Sequence, residues 1–345
     1  MQALPVLPLL FNGVGASAAA GTPRAVGYLP WWMASASEAM PLQHLDRTVL
    51  FDAPLQPDGG LQERSWPAHL KRGRLPADLA LTLFGQADFD RLFGDAAARS
   101  RLLSACQQAL QQPLIAGLHL DIEGYGAAHT AAVAGFREWL LKLDDARRAA
   151  GKTLSAFFPA SDSFAAYDPT GAARIDYWVV QIYDAHWVHS KVTGPLVTRQ
   201  AGNAVAVPRA LARLAALGVP RELMLLSVPL YGWQWASDSE HPGATALGPA
   251  KLLTYAQTPR ELMPNDRLAA SELARQHGLR RDKEHTPYYA YREEGHWVQG
   301  WYEDLASLTR KLAPERAQPY AGLAFFPLGY DHGAVVEPLL RWWRG

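Results

Sequence analysis

One short segment carries ionisable side chains at alternate positions, and it is where we expect chemistry. The segment runs from Ile115 to Tyr125, and His119, Asp121 and Glu123 occupy every second position in its second half. Side chains alternate between the two faces of a β-strand, so these three share one face and the apolar residues between them share the other. Ionisable groups on the inner face of a buried strand are costly unless they serve one another or a ligand. The spacing therefore predicts a functional strand end.

Asp121 and Glu123 are two carboxylates on the same face, and their charges should repel each other. Repulsion raises one of the two pKa values, so that one carboxyl stays protonated at working pH. A protonated carboxyl at the carboxyl end of a barrel strand is what a glycosidase needs in order to protonate the oxygen of the leaving sugar. We expect Glu123 to be this acid and Asp121 to be its charge partner. A solvated strand end with incidental acids is the alternative.

A second polar cluster lies at the end of the sixth predicted strand. Gln181 and Tyr183 share one face there, and Asp184, His186 and Trp187 follow within a few residues. A tyrosine hydroxyl and a carboxylate at a barrel mouth can grip an amide group of a substrate. A Tyr–Asp pair that only caps the strand end is the alternative.

Eight short apolar runs must position these groups, and segments with helical spacing separate most of them. The predicted strands are Ala25–Trp31, Thr48–Ala53, Leu79–Phe84, Ile115–Ile122, Thr153–Phe158, Tyr177–Tyr183, Leu223–Pro229 and Ala321–Phe326. The predicted helices are Asp88–Gln111 (capped by Asp88 or Asp90), Ala128–Ala150, Ala204–Leu217, Ser307–Leu312 and Val335–Trp343. This alternation favours an α/β fold, a closed (β/α)8 TIM barrel, over an open doubly wound sheet. No Gly-x-Gly-x-x-Gly motif follows the first strand, which weighs against dinucleotide binding.

The stretch between the seventh and eighth strands departs from this alternation and predicts a small insert. Trp235–Pro249 is typical of a loop, Pro249–His277 is partly helical in pattern, and Pro287–Trp301 predicts a hairpin. We expect residues 236–300 to form part of the cleft wall. The insert would belong to a single barrel domain over residues 25–345.

Charge and cysteine content exclude several classes of protein. Of the 345 residues, 33 are Lys or Arg and 33 are Asp or Glu, so the formal net charge is zero and nucleic acid is a poor candidate partner. The single cysteine, Cys106, allows neither an intramolecular disulfide nor a cysteine cluster for zinc. No stretch after the N-terminus is long and apolar enough to predict a membrane span. The sequence carries no signal for a particular oligomeric state.

Aromatic residues point towards carbohydrate. The chain has 12 tryptophans, and several of them, including Trp31, Trp187 and Trp235, stand beside predicted strand ends. Indole faces stack on the apolar faces of sugar rings, whereas a role in the core is the alternative for any single tryptophan.

The N-terminal residues 1–24 predict a leader or a signal peptide. Leu4–Phe11 is an apolar run, and Ala16-Ser17-Ala18 is similar to a small-residue cleavage site. The first basic residue is Arg24, so the usual positive region is missing. We expect an exported protein, periplasmic or secreted, with an atypical signal; a disordered leader is the alternative.

In combination and in order, these motifs resemble glycoside hydrolase family 18, the chitinase-like family. The family's strand-four signature is Asp-x-x-Asp-x-Asp-x-Glu, whose four places hold Ala116, His119, Asp121 and Glu123 here. Gln181-Ile182-Tyr183-Asp184 resembles the family's Met-x-Tyr-Asp. The continuation to Thr193-Gly194-Pro195-Leu196 is similar to the subgroup that cuts peptidoglycan in bacterial spores.

The resemblance extends towards the C-terminus. Pro229-Leu230-Tyr231-Gly232 resembles the strand-seven motif, and Trp301–Asp304 with Ser307 and Lys311 resembles the segment before strand eight. Strand eight itself is similar over Gly322–Asp331, with Phe326 where the family usually has a floor tryptophan.

The resemblance implies a substrate-assisted retaining hydrolase that needs no metal or other cofactor. Its substrate would be a glycan containing β-linked N-acetylglucosamine, such as peptidoglycan, a chitin-like oligomer or an amino-sugar exopolysaccharide. The acetamide of the sugar would attack the anomeric carbon while Glu123 protonates the leaving oxygen and then activates water. Asp121 would orient the acetamide, with Tyr183 and Asp184 on its other side. We expect further contacts with the substrate from His119, Trp31, Trp187, Tyr231, Trp235, Phe326 and Gln181.

Two departures from the family pattern carry expectations of their own. His119 is placed to hydrogen-bond Asp121, and as a cation it would stabilise the Asp121 anion. Phe326 keeps an apolar floor with less stacking area than tryptophan. Two other functions remain alternatives: a sugar-binding protein on the same barrel that has lost catalysis, and a barrel enzyme in which His119, Asp121 and Glu123 bind a metal.

Overall fold

The computed structural model describes residues 24–62, 64–72, 75–123, 129–160, 166–256 and 268–345. Eight parallel strands close into a barrel, in the order β1, β2, β3, β4, β5, β6, β7, β14 around it. They are β1 (Ala25–Pro30), β2 (Arg47–Pro54), β3 (Ala77–Phe84), β4 (Ile115–Glu123), β5 (Thr153–Phe158), β6 (Tyr177–Gln181), β7 (Met224–Pro229) and β14 (Gly322–Phe326). The predicted (β/α)8 barrel is confirmed. The expected leader, apart from Arg24, lies outside the described residues.

Two predicted strands end earlier than expected. Trp31 begins a 3-10 helix, Trp31–Ala39, directly after Pro30. Strand β6 ends at Gln181, so Tyr183 stands in the segment that follows it. Both residues therefore lie on the loops at the carboxyl ends of the strands, where (β/α)8 enzymes place their sites.

Helices and short 3-10 turns cover the barrel. The α-helices are α1 (Ala68–Arg72), α2 (Gln86–Gly94), α3 (Ala96–Leu110), α4 (Thr130–Ala149), α5 (Pro169–Ala172), α6 (Val207–Ala215), α7 (Ala270–His277), α8 (Leu305–Arg316) and α9 (Val336–Arg344). The other 3-10 turns are Leu42–His44 and Arg221–Leu223. Within the described ranges, no helix has both the length and the apolar character needed to cross a membrane.

The predicted helix Asp88–Gln111 is wrong in one respect, because two helices occupy this range. Asp95 separates them, and its side chain accepts hydrogen bonds from the backbone N–H groups of Ala97 and Ala98 at 2.6 and 3.2 Å. An aspartate in this position caps the helix that follows it, α3. Neither Asp88 nor Asp90 is a cap, since both lie inside α2.

A second sheet, which we call the insert, lies between β7 and β14 and runs from Tyr231 to Trp301, beyond the predicted bounds 236–300 at both ends. Its strands are β8 (Tyr231–Ser237), β9 (Lys251–Thr254), β10 (Leu268–Ala269), β11 (Arg280–Arg281), β12 (Pro287–Glu293) and β13 (His296–Trp301), in the order β10, β9, β8, β13, β12, β11. The hairpin predicted for Pro287–Trp301 is present as β12 and β13. The loop predicted for Trp235–Pro249 is wrong at its start, because Trp235 belongs to β8. Residues 257–267 of the predicted partly helical stretch lie outside the described residues.

A buried polar network fills the amino-terminal end of the barrel. Asp78 is fully buried, pairs with Arg47 and accepts a hydrogen bond from the Tyr177 hydroxyl at 2.6 Å. Thr153 Oγ1 donates to the same carboxylate at 3.1 Å. A Cβ at Gly117 would stand 2.6 Å from Asp78 Oδ1, so the glycine makes room for the network. Burial of Asp78 is compatible with a folded barrel because cationic and hydroxyl partners surround it.

A second buried ion pair joins the insert to the loop after β6. Lys311 Nζ lies 2.8 and 2.9 Å from the two carboxylate oxygens of Glu303, and it donates to Val197 O at 2.7 Å and to Thr286 Oγ1 at 2.8 Å. Both charged residues are buried. The pair therefore ties α8, the insert and the loop containing Val197 into one unit.

Replacing Lys311 with Met should leave the Glu303 carboxylate buried without its cation. We expect Lys311→Met to lower the free energy of unfolding by about 3 kcal/mol or more, the usual cost of breaking a buried pair from one side. Lys142→Met is a matched control, because Lys142 is 58% exposed and pairs with Glu138 on the surface. Urea denaturation of the two variants and the wild type measures the difference, and equal small effects would contradict the prediction.

Candidate active site

The predicted carboxyl pair stands at the mouth of the barrel. Glu123 is the last residue of β4, and Asp121 precedes it by two positions on the same face. In the neighbouring strand β3, Thr82 lies beside Asp121 and Phe84 beside Glu123. Asp121 is buried and Glu123 is half-buried, so the second carboxyl is the one that faces the cleft.

Burial and charge give the two carboxyls unusual acidities. Burial raises the pKa of Glu123 to about 7, with a further contribution from the nearby Asp184 charge and an opposing one from a hydrogen bond with Asp121. Burial also raises the pKa of Asp121 well above its ordinary value, followed by repulsion from Glu123 and their mutual hydrogen bond. The pair therefore keeps a proton near neutral pH, which Asp121 donates to Glu123. Among the described residues Asp121 Oδ1 has no hydrogen-bond partner, which agrees with an uncharged Asp121.

His119 does not take the place that the sequence predicts for it. Its Nε2 lies 2.8 Å from the Tyr28 hydroxyl and its Nδ1 lies 2.9 Å from Ser155 Oγ. Burial lowers the pKa of His119 to about 3, so the ring is neutral. The expectations that His119 hydrogen-bonds Asp121, acts as a cation beside it and contacts the substrate are therefore wrong, because the fully buried ring faces other strands.

The neutral His119 connects the mouth to the network at the other end of the barrel. Tyr28 can donate to Nε2, Nδ1–H can donate to Ser155, and Ser155 Oγ lies 3.4 Å from Asp78 Oδ2. In this arrangement every group has a role that its chemistry allows. With both ring nitrogens engaged, His119 does not join Asp121 and Glu123 as a metal ligand. In the parts of the chain that the structure describes, no three His, Cys, Asp or Glu side chains are grouped to hold a metal.

Tyr183 and Asp184 follow β6, which is separated from β4 by one strand, β5. The backbone of Asp184 has φ of 64°, a left-handed conformation that non-glycine residues adopt rarely and often at functional sites. The Tyr231 hydroxyl donates to Asp184 Oδ1 at 2.6 Å, and Trp233 Nε1 lies 3.5 Å from the same oxygen. Burial raises the pKa of Asp184 to about 6, while these two hydrogen bonds lower it. Strand β8 of the insert thus contributes directly to the site.

Phe326, the last residue of β14, is surrounded by aromatic rings from other strands. The Tyr183 ring is parallel to it at 6.5 Å between centroids, and Phe51, Tyr28 and Tyr231 contact it edge-on at 5.4, 5.8 and 6.2 Å. Aromatic rings in such contacts stabilise one another and exclude water. The floor that the sequence predicts at Phe326 is therefore built from rings of several strands.

The remaining predicted contact residues fall in different environments. Trp31 is 45% exposed and Trp187 is 49% exposed, both on loops beyond the strand ends. Gln181 Oε1 accepts a hydrogen bond from Ala160 N at 3.0 Å, at the rim of the barrel. Trp235 is fully buried, so its prediction as a substrate contact is wrong. It lies two residues beyond Trp233 on an inner strand of the second sheet, where neighbouring strands cover it.

Several residues of the site were missed by the sequence analysis. Tyr28, Asp52 and Thr82 contact it or its immediate neighbours. Asp52 carried a usable signal, since an acidic residue at the carboxyl end of a barrel strand favours a functional role. Tyr28 carried none, because a tyrosine inside an apolar strand is typical of the core.

The family model for glycosyl hydrolases family 18 matches residues 80–331 of the chain. The chain therefore belongs to this family of glycosidases. A relative from Bacillus subtilis (strain 168), described as the sporulation-specific glycosylase YdhD, is 22% identical over 262 residues, which are 74% of this chain and 57% of the relative. The chain thus spans little more than half the length of this curated relative.

Solved structures show the same fold. The family GH18 chitinase from Cycas revoluta, in complex with allosamidin, matches with a TM-score of 0.74 at 18% identity, over 93% of this chain and 100% of that chain. The spore cortex-lytic enzyme SleL from Bacillus cereus matches with a TM-score of 0.68 at 19% identity, over 94% of this chain and 73% of that one. At these identities the likeness shows the barrel fold.

Removing the Tyr231 hydroxyl tests the coupling between the insert and Asp184. Tyr231→Phe keeps the ring on Phe326 but takes away the 2.6 Å hydrogen bond, so the pKa of Asp184 should rise further above about 6. We expect kcat/KM for glycan hydrolysis at pH 7 to fall about tenfold, the value of one hydrogen bond to a charged group. Tyr320→Phe, at the opposite end of the barrel, is the control. Equal kcat/KM for both variants would contradict a role for the hydroxyl.

Proposed function

We propose that the protein hydrolyses β-linked glycans beside an N-acetylglucosamine residue, by substrate-assisted catalysis with retention of configuration. One observation carries the proposal: the half-buried Glu123, with its raised pKa, is hydrogen-bonded to Asp121 and lies near the charge of Asp184, while the neighbouring Tyr183 stacks on Phe326. This arrangement supplies a proton donor on one side and polar groups for an amide on the other. In the proposed mechanism the substrate's own acetamide is the nucleophile, so no second carboxylate is needed in that role.

In the first step, Glu123 transfers its proton to the glycosidic oxygen as the bond from that oxygen to the anomeric carbon breaks. The acetamide oxygen of the same sugar forms a bond to the anomeric carbon and closes a five-membered ring. In the second step, the Glu123 carboxylate takes a proton from a water molecule whose oxygen attacks the anomeric carbon and reopens that ring. Two inversions leave the configuration unchanged.

Asp121 has one role in these steps, and Tyr183 and Asp184 have another. When the shared proton moves from Asp121 to Glu123, Glu123 becomes the protonated acid and Asp121 becomes an anion. This anion accepts a hydrogen bond from the acetamide N–H. The Asp121 charge then stabilises the positive charge that develops on the amide. Tyr183 and Asp184 hold the acetamide from the other side, and Tyr231 fixes Asp184.

Peptidoglycan, chitin-like oligomers and amino-sugar exopolysaccharides all contain the required acetamide. We place peptidoglycan first, because the segment from Asp184 to Leu196 resembles the subgroup that acts on spore peptidoglycan and because relatives include a sporulation-specific glycosylase. Such polymers lie outside the cytoplasm, so the proposal includes export of the protein.

The first test is hydrolysis of fluorogenic N-acetylglucosamine oligomers and of purified peptidoglycan by the wild type and by Glu123→Gln. Loss of the acid should reduce kcat by at least about 100-fold, the lower range for general acid catalysis. Glu138→Gln is the control, because Glu138 lies on the outer surface of α4 with a side chain that is 53% exposed. The first sugar product, followed by NMR, should appear as the β-anomer.

The outcomes separate the possible functions. Hydrolysis by the wild type and by Glu138→Gln, but not by Glu123→Gln, supports the proposed acid. Oligosaccharide binding without hydrolysis would instead make the protein a carbohydrate-binding member of its family. Activity that survives in Glu123→Gln and disappears with a chelator would contradict the mechanism.

The pH dependence follows from the raised pKa of Glu123. Catalysis needs the proton that Asp121 and Glu123 share, so kcat/KM should fall on the alkaline side as the pair loses this proton. The nearby Asp184 charge raises the pKa of Glu123, so Asp184→Asn should move this descending limb to lower pH. Initial rates from about pH 5 to about pH 10 measure both effects. A descending limb of kcat/KM at the same pH in Asp184→Asn and in the wild type would contradict the assignment of Glu123 as the acid.

A further inference from the structure

A cation stands beside the carboxyl pair and has no part in the proposed reaction. Arg64, in the segment between β2 and α1, pairs with Asp52 through Nη2 and Oδ1 at 3.2 Å. Thr82 Oγ1 donates to the other oxygen of Asp52 at 3.1 Å, and Thr82 is the neighbour of Asp121 in the barrel. Asp52 therefore joins Arg64 to Thr82, the residue beside Asp121 in the barrel.

Arg64 also contacts an exposed tryptophan. Its Cζ atom lies 4.6 Å from the centre of the Trp31 ring. Trp31 contacts Trp32 edge-on at 5.7 Å, Trp32 contacts Phe51 at 6.2 Å, and Phe51 contacts the floor residue Phe326 at 5.4 Å. A continuous series of rings thus leads from the floor outwards to Arg64. Trp31 is 45% exposed, so a glycan that reaches this ring also meets Arg64.

The guanidinium of Arg64 has donors left for a ligand. Asp52 occupies Nη2, and among the described residues neither Nε nor Nη1 has a hydrogen-bond partner. Nε is buried, so Nη1 is the group that can meet a ligand from the cleft; the side chain is 22% exposed. The ion pair and the contact with Trp31 hold the planar group in place, so little conformational entropy is lost when an anion binds.

We propose that Arg64 and Trp31 form a subsite for a sugar that carries a carboxylate substituent. The sugar packs against the exposed part of Trp31, and its carboxylate accepts a charge-assisted hydrogen bond from Arg64. This inference rests on the proposed function and narrows its substrate class. It favours an N-acetylated glycan with acidic sugars, of which the glycan strand of peptidoglycan is one, over neutral chitin-like polymers.

Binding to the inactive Glu123→Gln protein tests the subsite without hydrolysis. The ligands are peptide-free glycan fragments of peptidoglycan and the same fragments with their carboxylates converted to amides. Glu123→Gln should bind the carboxylated fragments about tenfold more tightly in isothermal titration, as expected for one charge-assisted hydrogen bond. The double variant Glu123→Gln/Arg64→Gln should lose this preference. Arg91→Gln in the same background is the matched control, because Arg91 is 72% exposed on α2.

Two results would overturn the proposal: equal affinity of Glu123→Gln for the two ligands, or a preference that persists without Arg64. Equal weakening of both ligands by Arg64→Gln would assign Arg64 a purely structural role, and this too would overturn it. Arg64→Lys keeps the positive charge but lacks the planar guanidinium, so it should retain part of the preference for carboxylated fragments. This variant replaces Arg64→Gln if Arg64→Gln does not fold. Hydrolysis of neutral N-acetylglucosamine oligomers by the wild type tests the proposed function separately, because these oligomers have no carboxylate.

Discussion

Two carboxyls buried side by side at the end of one strand cannot both be ionised without a large cost in free energy. Asp121 and Glu123 satisfy this constraint by keeping a proton between them, and their surroundings further disfavour a second negative charge. The aromatic rings around Phe326 form an apolar surface at the site, and the nearby Asp184 charge raises the pKa of Glu123. The same burial that disfavours two charges thus gives Glu123 the raised pKa that an acid catalyst needs.

His119 shows how the barrel keeps its other polar groups away from this pair. The family signature has an aspartate at its position, and a third carboxyl there would share the proton of Asp121. The neutral imidazole instead bridges Tyr28 and Ser155, and Ser155 leads to the Asp78–Arg47 pair at the amino-terminal end. Among the described residues, Asp121 is therefore left with Glu123 as its partner for proton exchange, and the neutral Tyr28, His119 and Ser155 lead by hydrogen bonds to the Asp78–Arg47 pair.

The sequence was sufficient for features that depend on local periodicity. Alternation along β4 placed Asp121 and Glu123 on one face, and the order of apolar runs predicted the barrel. It was insufficient where a side chain's environment comes from distant strands: the partners of His119 lie on β1 and β5, and the burial of Trp235 depends on a sheet whose order no local pattern specifies. The break at Asp95 was missed because apolar spacing continues through it, although an aspartate before a helical run is a capping signal.

The insert is part of the proposed active site, because its first strand supplies the groups that hold Asp184. Tyr231 and Trp233 reach that carboxylate from β8, and the Glu303–Lys311 pair binds the loop after β6 through Val197. Asp184 is therefore held from both sides: by hydrogen bonds at its carboxylate and by a fixed loop behind its strained backbone. Since the charge of Asp184 also raises the pKa of Glu123, the packing of the insert and the acidity of the proposed catalytic carboxyl are linked through a single residue.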